Sequence, residues 1–98
     1  MTIIWSPLAL ERVAEIAEWI AAERPAAAER MVTELFGAVK RLSRFPESGR
    51  QVPEFDRAEI REVIHRGYRI VYRLAPEQIA ILTVRHSFQL MEAGDLDE

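Results

Sequence analysis

"HRGYRIVYRLAPEQIAILTVRH", residues 65–86, is the stretch of sequence that decides the fold. It holds two runs rich in Ile, Val and Tyr, "YRIVYRL" at 68–74 and "IAILTVRH" at 79–86, and the residues "APEQ" between them are typical of a turn. The second run begins with consecutive apolar residues, which indicates a strand buried on both faces. The stretch therefore predicts an antiparallel strand pair whose second member lies in the interior of a sheet.

Arginines alternate with apolar residues in the first of these strands. Because successive side chains of a strand point to opposite faces, Arg69 and Arg73 should lie on one face with Val71 between them. Tyr68 and Tyr72 should lie on the other face and fill a core. A strand that only builds a core needs no arginine, so we expect the arginines to face water or a partner. Exposed arginines add little to stability, so replacing both with Gln should leave the fold nearly intact.

Further strands are predicted on either side of this stretch. "EIREVIH" at 59–65 has the composition of a strand, and Arg66-Gly67 can form a two-residue hairpin turn to the next strand. "TIIW" at 2–5 is another short strand. Ser6-Pro7 then signals the start of a helix, since serine can cap the first N–H groups and proline loses nothing at the first helical position.

Two helices are predicted between the first strand and the others. Apolar residues recur at helical spacing over 9–20 and again over 28–42, and Pro25 separates the two segments. "RFPESGRQVPEF" at 44–55 contains two prolines and a glycine and is predicted to be a loop. The predicted fold class is α+β with the order β-α-α-β-β-β. A helical hairpin packs on the tyrosine face of a small, mainly antiparallel sheet.

Composition describes one ordinary globular domain. Of the 98 residues, 49% are hydrophobic and 30% are charged, and there is no cysteine. We expect residues 1–90 to form the domain and the acidic residues 91–98 to be a frayed tail. No run reaches the roughly 20 apolar residues that a membrane helix needs, so the cytoplasm is the expected location. No cofactor is expected, and two histidines make a zinc site unexpected.

Positive charge is concentrated in the middle of the chain. Residues 37–73 contain nine Lys or Arg against five Asp or Glu, although the whole chain has a net charge of −3. This asymmetry favours a basic face for an acidic partner, or else a mixed surface of solvated ion pairs.

The sequence resembles the RelE/ParE superfamily of bacterial toxins from type II toxin–antitoxin modules. The similarity spans residues 2–88 and the implied fold is the same β-α-α-β-β-β arrangement. The shared segments are Trp5-Ser6-Pro7, "ERPAAAERM" at 23–31, "FPESGR" at 45–50, "RE" at 61–62, "GYRIVYR" at 67–73 and "ILTVRHS" at 81–87.

The resemblance implies two activities within the superfamily. RelE-like members are ribosome-dependent mRNA endoribonucleases, and here Arg61, Arg69 and His86 would be their catalytic residues. The set of catalytic residues of RelE-like members is incomplete here. Val63 stands near the place of the second of two lysines in the RelE sheet, and no tyrosine follows residue 72. ParE-like members inhibit DNA gyrase by binding it. The "PESGR" loop and the "ERPAAAERM" corner resemble ParE, although Gln89 replaces an arginine that often follows the histidine.

We therefore expect a ParE-like toxin without catalytic residues, neutralised by a cognate ParD-like antitoxin whose C-terminal segment folds along the helical hairpin and a sheet edge. An mRNA endoribonuclease and a degenerate toxin that only binds antitoxin are the alternatives. The expected target- or antitoxin-binding residues are Arg61, Arg69, Arg73, Arg85 and His86.

His86 and three further side chains also have simpler expected roles. His86 is either a recognition group or a structural histidine at a strand end. Trp5 and Trp19 are expected to pack in the core, whereas an exposed Trp19 would indicate a groove for a partner. Arg50 is expected to cap carbonyl groups of the 44–55 loop.

Overall fold

The computed structural model describes residues 1–96 and has the predicted α+β order with one additional short strand. Pairing arranges the strands as β1-β5-β4-β3-β2, with β1 parallel to β5 and the other neighbours antiparallel. The elements are β1 (Thr2–Trp5), α1 (Pro7–Ala21), α2 (Pro25–Leu42), β2 (Arg50–Gln51), β3 (Ile60–His65), β4 (Tyr68–Leu74), β5 (Gln78–His86) and a 3₁₀ helix (Ala93–Leu96).

The local signals of the sequence are confirmed at the element boundaries. Ser6 Oγ accepts a hydrogen bond from the N–H of Ala9 at 3.0 Å and donates one to the carbonyl of Leu82 at 2.9 Å, so the cap also ties α1 to β5. Arg66 and Gly67 have φ of 46° and 83°, as a two-residue hairpin between twisted strands requires.

The strand β2 lies in the segment that was predicted to be only a loop. It pairs two residues with β3, Arg50 opposite Glu62 and Gln51 opposite Arg61. Two residues are too few to show any hydrophobic periodicity, so nothing in the sequence distinguishes this strand from the surrounding loop.

The helical hairpin covers the tyrosine face of the sheet, as predicted. Tyr72 is fully buried there, and Tyr68 is partly buried against the same cluster. Burial of this apolar surface is the main source of stability. The buried members of the cluster are Ala9, Val13, Leu35, Ala38, Val39, Leu42, Ile70, Tyr72, Ile79, Ile81 and Val84.

A second, smaller core lies on the opposite face of the sheet. Val52 from the loop and Met91 from the C-terminal segment pack there on Val71 of β4. The frayed tail predicted from residue 91 is therefore wrong for residues 91–96, because Met91 is 6% exposed and Asp95 is 3% exposed. Residues 97 and 98 lie outside the described residues. The cluster consists of Val52, Ile60, Val71, Ala80, Leu82 and Met91, with Phe55 and Leu96 partly buried against it.

The two tryptophans differ in burial. Trp5 packs against the helical hairpin, where its ring centroid lies 4.6 Å from that of Phe36, as predicted for a core residue. The same prediction for Trp19 is wrong, because this side chain on α1 is 77% exposed. Helical periodicity places Trp19 at the margin of the apolar stripe but does not say whether a neighbour covers it.

Candidate functional site

The five residues expected to bind a partner are divided between the two faces of the sheet. Arg69 and Arg85 are directly opposite each other on neighbouring strands and share the face of the second core with Arg73. Arg61 is opposite Tyr72 and His86 is opposite Tyr68, so these two lie on the helix-covered face. The structure therefore brings three arginines together and separates Arg61 and His86 from them.

Arg69 is the centre of a buried ionic network. Its Nε donates to Glu62 Oε1 at 2.5 Å, and its two terminal nitrogens bind the Glu54 carboxylate at 2.6 and 2.7 Å. Arg50 binds the other oxygen of Glu62, with Nε at 2.8 Å. Hydrogen bonding to Glu54 raises the pKa of Arg69, and hydrogen bonding from Arg69 lowers the pKa of Glu54 to about 2. Arg69 is expected to face water or a partner, and the first of these is wrong, since the residue is 4% exposed.

The three arginines on this face hold the C-terminal segment, residues 87–96, against the sheet. Arg69 Nη1 donates to the carbonyl of Gln89 at 3.0 Å, and Arg73 Nη2 donates to the carbonyl of Leu96 at 3.2 Å. Arg85 binds Asp95 Oδ1 at 3.0 Å. Glu54 completes the attachment by accepting the N–H of Met91 at 2.9 Å. These arginines therefore serve the chain's own backbone and carboxylates.

On the other face, Arg61 and Tyr72 fix the loop between α2 and β3. Arg61 donates to the carbonyl of Gly49 at 3.0 Å, while the Tyr72 hydroxyl donates to the carbonyl of Pro46 at 2.7 Å and accepts the Gly49 N–H at 3.0 Å. Burial raises the pKa of Tyr72. A Cβ on Gly49 would lie 2.5 Å from that hydroxyl, which explains the glycine. The capping role predicted for Arg50 thus belongs to Arg61, because Arg50 is engaged with Glu62.

His86 lies at the end of β5 among aromatic side chains. Its ring meets the Tyr68 ring edge-on at a centroid distance of 5.6 Å and lies 5.0 Å from the Phe88 ring. Its Nδ1 accepts the N–H of Phe88 at 3.3 Å. Within residues 1–96 no carboxylate binds this imidazole, and no three His, Cys, Asp or Glu side chains form a metal-binding group. The ring thus has no acidic partner of the kind that orients a catalytic histidine.

A second ionic cluster joins α2 to the β3–β4 turn. Glu34 Oε1 accepts from His65 Nε2 at 2.7 Å and from Arg66 Nε at 2.6 Å. The hydrogen bond from His65, followed by the charge of Arg66, lowers the pKa of Glu34. The cluster closes the hairpin turn onto the helix beside a surface groove.

That groove surrounds Trp19 and is made of two concavities. One has a volume of about 340 Å³ and lies between α1 and the end of β5, and the other, of about 510 Å³, lies at the corner of the helical hairpin. Trp19 and Tyr68 line both. Arg24 and Arg30 line the second concavity and form no ion pair within the described part of the chain.

Sequence reasoning missed the acidic members of the network and the exposed apolar residues. Glu54 lies 15 positions from Arg69 in a segment without periodicity, so no spacing links the two. Glu62 lies two positions after the buried Ile60 on the same face of β3, so its spacing predicts a buried acid. For Phe88 the only available signal was an aromatic residue beyond the last strand.

Solved structures of toxin–antitoxin systems have the same fold. The chromosomal ParDE system of P. aeruginosa aligns with a TM-score of 0.74 and 20% identity, over 88% of this chain and 95% of that chain. The RelBE2 toxin–antitoxin complex of Mycobacterium tuberculosis aligns with a TM-score of 0.59 and 24% identity, over 87% and 95% of the two chains. The fold is thus that of the RelE/ParE class of small toxins.

Sequence comparison identifies the branch within that class. The family model described as the ParE toxin of the type II toxin–antitoxin system, parDE, matches residues 3–91, so the chain belongs to the ParE toxin family of the RelE/ParE superfamily. It is 33% identical over 89 residues to toxin RelE2 of Caulobacter vibrioides, covering 90% of this chain and 97% of the relative. It is 36% identical over 92 residues to the putative toxin Y4kP of Sinorhizobium fredii, covering 89% and 88%. The chain is a toxin of the type II toxin–antitoxin class.

No helix within residues 1–96 is both long enough and apolar enough to cross a membrane.

Proposed function

We propose that this chain is a cytoplasmic ParE-like toxin that inhibits DNA gyrase by binding it, without covalent chemistry of its own. The observation that carries the proposal is the state of Arg69. This is the residue on which an RNA-cleaving sheet of the RelE type would depend, and it is buried and bound by both Glu54 and Glu62.

The chemical demands of RNA cleavage favour inhibition by binding over an endoribonuclease. Such cleavage needs a base at the 2′-hydroxyl, an acid at the leaving oxygen and cations for the charge that develops on phosphorus. The guanidinium of Arg69 is already neutralised, and Arg61 is directed at loop carbonyls. His86 lies on the opposite face of the sheet from Arg69 and has no acidic partner among residues 1–96. These features support inhibition by binding.

An antitoxin is the second partner that we propose, and its chemistry can be made more specific. At least four of the nine cations in residues 37–73, namely Arg50, Arg57, Arg66 and Arg69, are paired with carboxylates in the part of the chain that the structure describes. The basic middle segment is therefore less available than its composition suggests. We place the C-terminal segment of a ParD-like antitoxin in the groove around Trp19, with acidic side chains reaching Arg24 and Arg30.

The mRNA endoribonuclease remains the second candidate, and the relative named toxin RelE2 favours it. In that case Arg61, Arg69 and His86 would have to act together. This requires more than the departure of the C-terminal segment and Glu54, because Arg69 lies on the opposite face of the sheet from Arg61 and His86. His86→Ala would then abolish cleavage.

Three measurements separate the candidates. Expression without antitoxin should arrest growth, purified protein should reduce supercoiling by DNA gyrase, and ribosome-bound messages should stay intact. Cut messages with unaffected supercoiling would establish the endoribonuclease. Harmless expression together with tight binding to the protein encoded beside the gene would establish a degenerate toxin. The His86→Ala variant separates the two activities, because it should abolish cleavage by an endoribonuclease, whereas an inhibitor that only binds gyrase should keep part of its activity despite the lost contact with Phe88.

A further inference from the structure

The C-terminal segment projects two large apolar side chains into solvent. Phe88 is 90% exposed and Leu90 is 74% exposed, whereas Met91, immediately after them, is 6% exposed in the second core. Most other exposed apolar residues are isolated, but these two are separated only by Gln89 on the same short segment. An apolar pair that is displayed in this way costs solubility unless it has a partner.

The backbone that displays the pair is held on both sides. Arg69 and Arg85 donate to the carbonyls of Gln89 and Leu90 at 3.0 and 3.4 Å, and Glu54 accepts the N–H of Met91 at 2.9 Å. Two of these three groups come from the ionic network on β4 and the loop. The network thus holds the backbone at Gln89, Leu90 and Met91 against the sheet, so that Phe88 and Leu90 project from a tethered segment.

The C-terminal segment has few free backbone N–H groups with which a partner strand could pair. The N–H of Ser87 donates to the carbonyl of Gly67 at 2.7 Å, and that of Gln89 donates to the carbonyl of His86 at 2.9 Å. The N–H of Phe88 donates to His86 Nδ1. A partner that adds a β-strand needs free N–H and carbonyl groups, so this segment is unsuited to strand addition.

The shape of the segment also distinguishes it from the groove around Trp19. A disordered peptide that folds on a surface is buried best in a concavity, which the groove provides at about 340 and 510 Å³. Protruding side chains on a rigid backbone fit a pocket that is already formed on a folded partner, where an inserted aromatic residue commonly dominates the binding energy.

We propose that Phe88 and Leu90 form an epitope that inserts into a preformed apolar pocket on the folded protein target of the toxin, and that Arg69 and Arg85 are positioning residues for it. The inference rests on the proposed function in one respect, because it takes DNA gyrase to be that target. The buried arginines then contribute to toxicity without touching the target.

The central experiment is the double variant Phe88→Ala/Leu90→Ala, assayed against purified DNA gyrase. We expect the concentration needed for half-inhibition of supercoiling to rise by at least about 30-fold, as for loss of a hot spot. The melting temperature should stay within about 3 °C of the wild type, because neither side chain is buried. Phe45→Ala is the matched control, since Phe45 is 60% exposed on another loop and should be dispensable.

Binding to the antitoxin separates this epitope from the Trp19 groove. The double variant should bind the antitoxin encoded beside the gene as tightly as the wild type, while Trp19→Ala should weaken antitoxin binding and leave gyrase inhibition unchanged. The proposed epitope is wrong if the double variant loses both antitoxin binding and gyrase inhibition, or if it inhibits gyrase as well as the wild type does.

Positioning by the arginines is tested with Arg85→Lys. Lysine keeps a positive charge beside Asp95 but lacks the forked donors with which Arg85 also reaches the carbonyl of Leu90. We expect gyrase inhibition to weaken about 3- to 10-fold while antitoxin affinity does not change. If Arg85→Lys inhibits gyrase as strongly as the wild type does, Arg85 is not a positioning residue.

Failure of the proposed function gives a different result. If the wild type does not affect gyrase but still arrests growth, gyrase is not the target, and the double variant is then scored by growth arrest. Loss of arrest with retained antitoxin binding would uphold the epitope against another target, and continued arrest would overturn it.

Discussion

Four hydrogen bonds occupy the guanidinium of Arg69, and three of them end on carboxylates. Such a group is expensive to bury, and the cost is offset only while its partners stay in place. Glu62 is in the same position, because its side chain has no exposed surface. The arginine in β4 therefore has a structural role. This explains how a charged residue can alternate with core residues along a strand without facing water.

Arg69→Gln tests that interpretation. We expect the free energy of unfolding to fall by about 3–5 kcal/mol, because Gln leaves the charges of Glu54 and Glu62 poorly compensated. In a domain of this size the melting temperature should drop by more than about 12 °C. Arg57→Gln is the control, since its pair with Glu59 is nearly half-exposed and screened by water, so its loss should hardly change the stability. If the Arg69→Gln and Arg57→Gln variants have melting temperatures within a few degrees of each other, the ionic network of Arg69 does not stabilise the fold as proposed.

The sequence predicts part of this site. Alternation along β4 correctly assigns Arg69 and Arg73 to the face away from the tyrosines, because the period of a strand is a local property. It does not reveal that this face is covered, since the cover comes from a loop and a tail that have no period of their own. The partner carboxylates of Arg69 are determined by tertiary packing alone.

The loop and the C-terminal segment form one unit, and Glu54 joins them. Its carboxylate binds Arg69 from the loop side and accepts the N–H of Met91 from the tail side. The loop is further fixed at its other end by Tyr72 and Arg61. Helices α1 and α2 could be predicted because their apolar stripes and prolines are local signals, whereas β2 and the packed tail could not.

Acid should loosen this unit. The pKa of Glu54 is lowered from 4.5 to about 2, so the folded state binds the proton less readily than the unfolded state does. The stability that follows from this shift is complete above pH 4.5 and is lost as the pH falls toward 2. A shift of this size corresponds to roughly 3 kcal/mol for a side chain that is 19% exposed.

Urea unfolding at several pH values measures the contribution. Glu54→Gln should be less stable than the wild type by about 3 kcal/mol at pH 7, and the difference should shrink steadily between pH 4.5 and pH 2. Glu59→Gln serves for comparison, because Glu59 is 41% exposed on its side chain and should show only a small effect. A difference for Glu54→Gln that stays constant with pH would mean that its carboxylate is not the source of the stability.

The whole molecule is a sheet enclosed on both faces, with the helical hairpin on one side and a thin cover on the other. The hairpin side was predictable from the sequence because long apolar stripes must pack on the sheet. The cover was not, since Val52 and Met91 are isolated apolar residues in polar segments. A domain of 98 residues has little core to spare, so this second cluster should matter to global stability.

Truncation measures how much the cover contributes. Ending the chain after Leu90 removes Met91 from the second core and takes Asp95 away from Arg85, so we expect a loss of at least about 3 kcal/mol and a fall in melting temperature of about 12 °C or more. The full-length chain keeps every contact described above and is the reference. Circular dichroism melts of both proteins give the comparison. If the shorter chain has the melting temperature of the wild type, residues 91–96 do not contribute to stability. The ionic network on β4 would then not stabilise the fold by holding the C-terminal segment.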